Sequence, residues 1–355
     1  MFLAWKEMKK NKLRFTLITG VLMLVAFLVF FLSGLATGLQ QLNREAVDKW
    51  DADAIVLTEE SDKSLGLSSM TVQDHEGIDA DETAILGQFS AIANNDDEKA
   101  NISVFGINED EFLMPEVTDG EKFTKENEVI AGDKLKEDGF AIGDTLSLSG
   151  TEAELTIVGF TDNARFHGSP VLYTDLDTFH RVKFGELAEQ NSDRINGVVI
   201  RTDNVDAIET PEEIEVIGID TFIENLPGYT EQNLTLNLMI YFLIVISAII
   251  VAIFLYVLTV QKMSMFGVLK AQGISSRYLA NSVIAQTFLI SFIGVVIGFG
   301  LTLLTGAFLP SAVPVSFDMV TMIIYGLIFV VVAIMGAVFS VRTIVKIDPL
   351  QAIGG

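Results

Sequence analysis

The sequence predicts an α-helical membrane protein with four transmembrane helices and a large α+β extracytoplasmic domain between helices 1 and 2. Three observations carry this. Residues 15–43, 232–261, 278–317 and 319–341 contain no Asp, Glu, Lys or Arg, and about 20 apolar residues span a bilayer. Charge is segregated by sign. Residues 1–38, 262–277 and 342–355 together hold ten bases against two acids, whereas residues 39–234 hold 13 bases against 44 acids. Finally, strand-like runs recur within that acidic stretch. A chain that is 50% apolar with a net charge of −24 is neither a disordered protein nor one that binds nucleic acid.

Short basic segments stay in the cytoplasm. This places the 1–14 segment, the 262–277 loop and the 342–355 tail inside the cell membrane, and residues 40–233 and the 310–318 loop outside. Residues 1–14 alternate Phe2, Leu3, Trp5, Met8 and Leu13 with lysines. That is the pattern of an amphipathic helix on the inner surface, and equally that of a plain basic flank. The first span, 15–39, exceeds the roughly 7–15 apolar residues of a secretory signal and reads as a retained anchor. The others are expected at 234–261, 278–309 and 319–341. The 40-residue run has room for two helices, but two would put Arg342 and Lys346 outside. Pro310 and Pro314 instead end the third helix and mark an external turn.

In the outer domain, strands are expected at Ala54–Leu57, Ile102–Ile107, Thr145–Leu148, Leu155–Phe160, Val171–Tyr173 and Val198–Arg201. Stretches rich in Asp, Asn and Gly separate them. Short helices are expected at Arg44–Lys49, Leu135–Gly139 and Asp175–Leu187, giving a mixed-sheet α+β domain. The acid excess reads first as solvation and second as attraction for a cation or basic ligand. No Asp-x-Asp-x-Asp-Gly calcium loop supports the second.

Several chemistries lack their residues. No Gly-x-x-x-x-Gly-Lys-Ser/Thr loop, His-Glu-x-x-His or Gly-x-Ser-x-Gly occurs. His75, His167 and His180 do not have metal-site spacing. The chain is therefore not expected to be an enzyme or to hold a prosthetic group or metal. The cores of the spans hold no Asp, Glu, Lys, Arg or His, which disfavours an ion-coupled carrier or a charged pore. Thr16, Thr19, Ser33, Ser247, Gln286 and Thr287 read as helix–helix hydrogen-bonding groups. Gly34-x-x-x-Gly38 and Gly294-x-x-x-Gly298 allow close helix approach, within the chain or between two copies.

Three stretches carry a resemblance. They are Gln261-Lys-Met-Ser-Met-Phe-Gly-Val-Leu-Lys-Ala-Gln-Gly-Ile-Ser, the closing Asp348-Pro-Leu-Gln-Ala-Ile, and the run from Asn127-Glu-Val-Ile-Ala-Gly through Ile142-Gly-Asp-Thr-Leu to Thr156-Ile-Val-Gly-Phe. Their order resembles that of the FtsX/MacB-like permease subunits of ABC transporters, over the whole length. The Gln261-Lys-Met-Ser opening, the stretch around Phe166-His167-Gly-Ser and the final Ala-Ile-Gly-Gly355 look like the family's haem-exporting members from Gram-positive bacteria. The resemblance implies a homodimer served by cytoplasmic ABC ATPase subunits. ATP would be bound only by that partner, and haem would be the substrate, moved by mechanical transmission. Drug or peptide efflux, lipoprotein release and activation of cell-wall hydrolases are the family's other tasks. A membrane sensor with a ligand-binding outer domain is a further reading of the same architecture.

Two groups of residues follow as candidates. In the 262–277 loop, Met265, Phe266, Leu269 and Lys270 are expected on a coupling helix whose apolar anchors fill a groove of the ATPase. The same stripe would serve an ordinary amphipathic connector. At the outer surface, Arg44 follows span 1 and Tyr229 precedes span 2, so the two are expected to meet despite 184 intervening residues. Arg44 would pair with a haem propionate, Tyr229 would ligate iron or stack, and Phe166 and His167 would join them. An interfacial Arg or Tyr is also an ordinary helix anchor.

Overall fold

The structure, a computed structural model, describes residues 9–95, 98–261, 263–310 and 313–345. Most of the 1–14 segment, and the end of the tail with the Asp348 motif, lie outside the described residues. In chain order, helix α1 (Lys12–Lys49) leads into β1 (Ala54–Thr58), β2 (Met70–Thr71), α2 (Val72–Glu76), β3 (Glu82–Asn94) and β4 (Lys99–Ile107). Then come β5 (Asp119–Gly120), β6 (Glu128–Gly132), α3 (Asp133–Glu137), β7 (Thr145–Leu148), β8 (Glu154–Thr161), β9 (Arg165–Phe166) and β10 (Ser169–Asp175). The domain closes with α4 (Leu176–Phe184), β11 (Arg194–Ile195), β12 (Gly197–Arg201), β13 (Ile214–Gly218) and α5 (Ile219–Glu224). Helices α6 (Tyr229–Gln261), α7 (Met263–Ala271), α8 (Ser276–Phe308) and α9 (Met319–Val345) follow. The chain divides into two compact units, Gln40–Gln232 and the remainder.

In the helical unit, α1, α6, α8 and α9 each contain a stretch long and apolar enough to cross a membrane. Hydrocarbon offers the backbone no hydrogen-bond partner, so each span must satisfy itself as a helix. It also gives the helices no hydrophobic reason to associate, so packing rests on close approach. The glycines supply it. A Cβ on Gly294 would lie 3.2 Å from the Met23 amide nitrogen, and one on Gly298 would lie 2.9 Å from the Met23 carbonyl oxygen. The Gly294-x-x-x-Gly298 motif is thus an intramolecular contact of α8 on α1. Gly34 and Gly38 likewise lie against Val315, Phe317 and Pro314 of the loop before α9, and Gly336 brings α9 onto the Ala248 carbonyl of α6. Two polar residues expected between helices are turned back on their own. Ser247 donates to the Ile244 carbonyl at 2.7 Å and Thr287 to the Val283 carbonyl at 3.0 Å. Each finds its nearest acceptor one turn away on its own helix. Thr302, absent from the sequence reading, donates to Gly298 and also reaches the Phe27 carbonyl at 3.4 Å.

In the Gln40–Gln232 unit, one mixed sheet runs β13-β1-β12-β3-β4-β10-β6-β8-β5, with parallel pairing at β4/β10 and β6/β8. Strand β7 pairs with both β3 and β8, which closes a ring through β3, β4, β10, β6, β8 and β7. Side chains alternate between two cores. Val104, Val129, Ala131 and Leu172 face one, and Phe105, Ile130, Val171 and Tyr173 face the other. Burial on both faces explains why these strands read as continuous apolar runs. The longest strand, β3, escaped the sequence reading because it is rich in Ala, Gly, Gln and Ser. Its Gly87 stands opposite Gly106 of β4, and the Phe179 ring of α4 lies over both. A side chain at either position would occupy that ring's place. The short helix expected at Arg44–Lys49 is instead the continuation of α1, which is a single helix of 38 residues.

Two consequences are measurable. Gly298→Leu should lower helical-unit stability by about 1–3 kcal/mol through overpacking. Gly300→Leu should not, because a Cβ there meets nothing within 4 Å. Thermal unfolding in detergent distinguishes them, and equal losses would refute the glycine contact. The second concerns Lys183, whose ammonium lies 5.0 Å over the Phe179 ring and donates to Asn196 Oδ1 at 3.0 Å. Burial lowers its pKa to about 8. The unfolded chain then binds more protons between about 8 and the ordinary 10.5, so stability should rise with pH across that window. Lys183→Met should flatten the rise in pH-resolved unfolding curves.

Candidate functional site

The charge-free stretch of α1 ends at Asn43. Helical spacing puts Arg44 and Asp48 on one face. Arg44 Nε donates to both Asp48 carboxylate oxygens at 2.8 and 2.9 Å. The Tyr229 hydroxyl is a second hydrogen-bond partner of the same guanidinium. Tyr229 itself is buried in a cluster with Trp50, Phe222, Ile223 and Leu226. Two residues far apart in sequence thus meet within the Gln40–Gln232 unit, one at the outer part of α1 and the other at the first turn of α6.

A hairpin brings the other two candidates to the same place. Pairing of Phe166 with Ser169 and of Arg165 with Pro170 leaves a two-residue turn, His167–Gly168, with φ of 51° and 75°. Positive φ at both positions is what a tight hairpin turn demands, and it favours Gly at the second. The His167 amide donates to the Asn43 carbonyl at 3.2 Å, and the Gly168 amide donates to the Leu42 carbonyl at 3.0 Å. The turn therefore sits on α1 immediately before Arg44.

The four candidates take different roles there. Phe166 is fully buried, edge-on to Phe105 at 5.3 Å, and its ring is part of the core. The expectation that it faces a ligand is corrected accordingly: an apolar ring on β9 gains more from the aromatic core than from solvent. It serves instead as the platform on which the His167 imidazole stacks at 4.2 Å. His167 is open to solvent at the turn, yet desolvation of its ring moves its pKa below the ordinary value. Neutral imidazole is the form that ligates a metal. Tyr229 presents its hydroxyl and not its ring face, because the ring is buried and the oxygen meets Arg44. The other histidines are engaged elsewhere, His75 with Thr83 and His180 with the Arg194 carbonyl, both at 2.7 Å.

The sequence reading missed a second charged group beneath the hairpin. Arg165 faces Glu45 at 3.7 Å, with both side chains largely buried. Asp133 joins them, its carboxyl pKa raised by burial and opposed by the Arg165 charge. Glu45 adjoins Arg44 and Arg165 adjoins Phe166, so chain adjacency was the available signal. Their pairing across 120 positions was not. The group fastens the hairpin to α1 below the turn.

In the helical unit, α7 divides the expected stripe. Phe266 is 3% exposed, in a cluster with Phe15, Leu22, Val251 and Leu279, and Leu269 packs on that cluster. These two, three residues apart, face inward and are not partner-facing anchors as expected. The outward face belongs to Met265 and Val268, 40% and 43% exposed, with the same three-residue spacing. Lys270 is half-buried near the helix end, and Gly273 (φ 89°) then turns the chain towards α8.

Comparison with known proteins agrees with this architecture. The family described as MacB-like periplasmic core domain matches residues 15–216, and that described as FtsX-like permease C-terminal matches residues 237–349. Putative hemin transport system permease proteins HrtB of Staphylococcus haemolyticus and Staphylococcus epidermidis are 28% and 30% identical, covering 100% of this chain and 99% of theirs. An uncharacterized ABC transporter permease of Mycobacterium tuberculosis is 23% identical over the same shares. Among solved structures, the extracellular domain of the noncanonic ABC-type transporter YknZ from Gram-positive bacteria matches 47% of this chain and 99% of its own. It is 16% identical, with a TM-score of 0.34.

Proposed function

We propose that this chain, which belongs to the FtsX/MacB-type permeases of ABC transporters, is the membrane subunit of an ATP-driven haem exporter. One observation carries the reading: a guanidinium, a phenol and a solvent-open imidazole gathered where the apolar stretch of α1 ends. Haem is a flat apolar ring with two carboxylates and an iron that needs a ligand. Arg44 takes a propionate in place of Asp48. The Tyr229 oxygen or the His167 imidazole meets the iron, both being known ligand types. Whole-length similarity to proteins named as hemin transport permeases supports this substrate.

The engine is a separate cytoplasmic ATPase, engaged by the Met265–Val268 face of α7, and the working unit holds two copies of this chain. The charge bias puts the N- and C-termini in the cytoplasm. Helices α1 and α6 each run unbroken past the end of their apolar stretch, which suits levers better than channel walls. The charge-free spans support lateral entry from the outer leaflet, because an amphiphile already in the membrane needs no polar tunnel.

Haem titration of the purified permease–ATPase complex, read by visible absorption, tests the substrate. A charge-assisted hydrogen bond is worth roughly 1.5–3 kcal/mol, so Arg44→Ala should weaken binding about ten- to a hundredfold. Tyr229→Phe should shift the absorption band if its oxygen ligates iron, and His167→Ala should do so if the imidazole does. Unsaturable binding by the wild type would transfer the reading to another substrate of the family. Co-purification tests the engine. Val268→Asp should release the ATPase with the permease still folded, whereas Phe266→Ala should lower permease stability by about 3–5 kcal/mol. Undiminished co-purification of Val268→Asp would remove α7 from the contact.

A further inference from the structure

Helices α1 and α8 border a groove of about 620 Å³ in the helical unit. Lys9 and Lys12 form one end. Phe15, Thr16, Thr19 and Gly20 line its length, and Met23 with Ile293 and Ile297 forms the other end. From Phe15 to Met23, α1 rises about 12 Å, close to one leaflet of a hydrocarbon core about 30 Å thick. The groove stops where the chain closes it, at the approach of Gly294 and Gly298 to Met23. Gly20 adds width, since a Cβ there would meet nothing within 4 Å. Lys12, the first residue of α1, and Lys9, just before it across the turn at Asn11, are both exposed. They belong to a segment that carries Lys6, Lys9, Lys10, Lys12 and Arg14 against Glu7 alone.

We infer that this groove is a binding site for an anionic phospholipid of the inner leaflet. The acyl chain lies along Phe15–Met23 against Ile293 and Ile297, and the phosphate meets the two ammonium groups. Charge complementarity selects the headgroup, and the leaflet-deep apolar length selects a chain-bearing ligand over a free phosphate. The site rests on the orientation proposed above, with the N-terminus cytoplasmic. A bound lipid bridges α1 and α8 beside their glycine contact and thereby stabilises the helix whose outer end carries Arg44.

The test uses the full-length chain in detergent. Native mass spectrometry follows its titration with phosphatidylglycerol and with phosphatidylcholine of the same acyl length. Each lysine near an anionic headgroup is worth about fivefold, so the wild type should prefer phosphatidylglycerol by roughly twentyfold. Lys9→Gln with Lys12→Gln should bring the two lipids to parity. Gly20→Phe should fill the groove and weaken both by about tenfold or more, and if it fails to fold the lysine pair decides alone. Equal wild-type affinities, or a preference that survives the lysine pair, would overturn the proposal. Displacement of phosphatidylglycerol by stoichiometric haemin would do so too, by assigning the groove to substrate. The chain has no cysteine, so Thr16→Cys tests the remaining occupant: a disulfide between copies in high yield would make the groove a dimer contact and refute the lipid. Labelling of Lys10→Cys by an impermeant maleimide in intact cells reports the orientation separately, so failure of that premise is distinguishable from failure of the site.

Discussion

The seat of the outer end of α1 is the constraint on which the rest of the Gln40–Gln232 unit depends. Helix α1 ends at Lys49, and the sheet holds the chain where it leaves the helix. Arg201 of β12 donates to the Trp50 and Asp51 carbonyls, both at 2.8 Å, and Lys49 donates to Thr161 at 2.6 Å. Cations at the C-terminal end also suit the helix dipole. The Trp50 indole packs against Phe105 and Phe222, with ring centroids 6.2 and 6.1 Å away. The helix therefore ends inside the core of a sheet. Every residue a turn or two earlier, including Leu42, Asn43, Arg44 and Glu45, takes its position from that seat.

The candidate site is a product of this arrangement. Three chain segments, around residues 44, 167 and 229, converge because α1 offers carbonyls to the hairpin turn, a carboxylate to Arg165 and a guanidinium to Tyr229. The buried group around Arg165 holds the hairpin, and the exposed Arg44–Asp48 pair is the part free to exchange. An exposed pair one helical turn apart contributes only about 0.3–0.5 kcal/mol. In the proposed reading, an incoming carboxylate would take the place of Asp48. Rigidity below the turn and lability above it are what the proposed binding and release of an amphiphile would need.

Glycines solve two different packing problems in the two units. In the helical unit they bring backbones together where solvent provides no drive to associate. In the sheet, Gly87 and Gly106 make room for one aromatic ring from α4. In both cases the missing side chain matters for what occupies its space, and neither case rests on an unusual backbone angle at the glycine.

The sequence by itself determined the membrane architecture. Long charge-free runs and the two prolines inside the third of them act locally, through hydrophobicity and backbone chemistry, and need no partner to be read. It also determined that Arg44 and Tyr229 would meet, since each adjoins a span on the same side. Tertiary structure decided the rest, because those features depend on what lies opposite a residue. Phe166 reads as a ligand-facing aromatic until Phe105 is seen against it. Phe266 and Leu269 read as an exposed stripe until their cluster on α1, α6 and α8 turns them inward and leaves Met265 and Val268 outside. The length of β3, the continuity of α1 past residue 43 and the partnership of Glu45 with Arg165 rest on pairings across tens to more than a hundred positions. No local pattern encodes such pairings, because the energy that selects them exists only once both surfaces are buried.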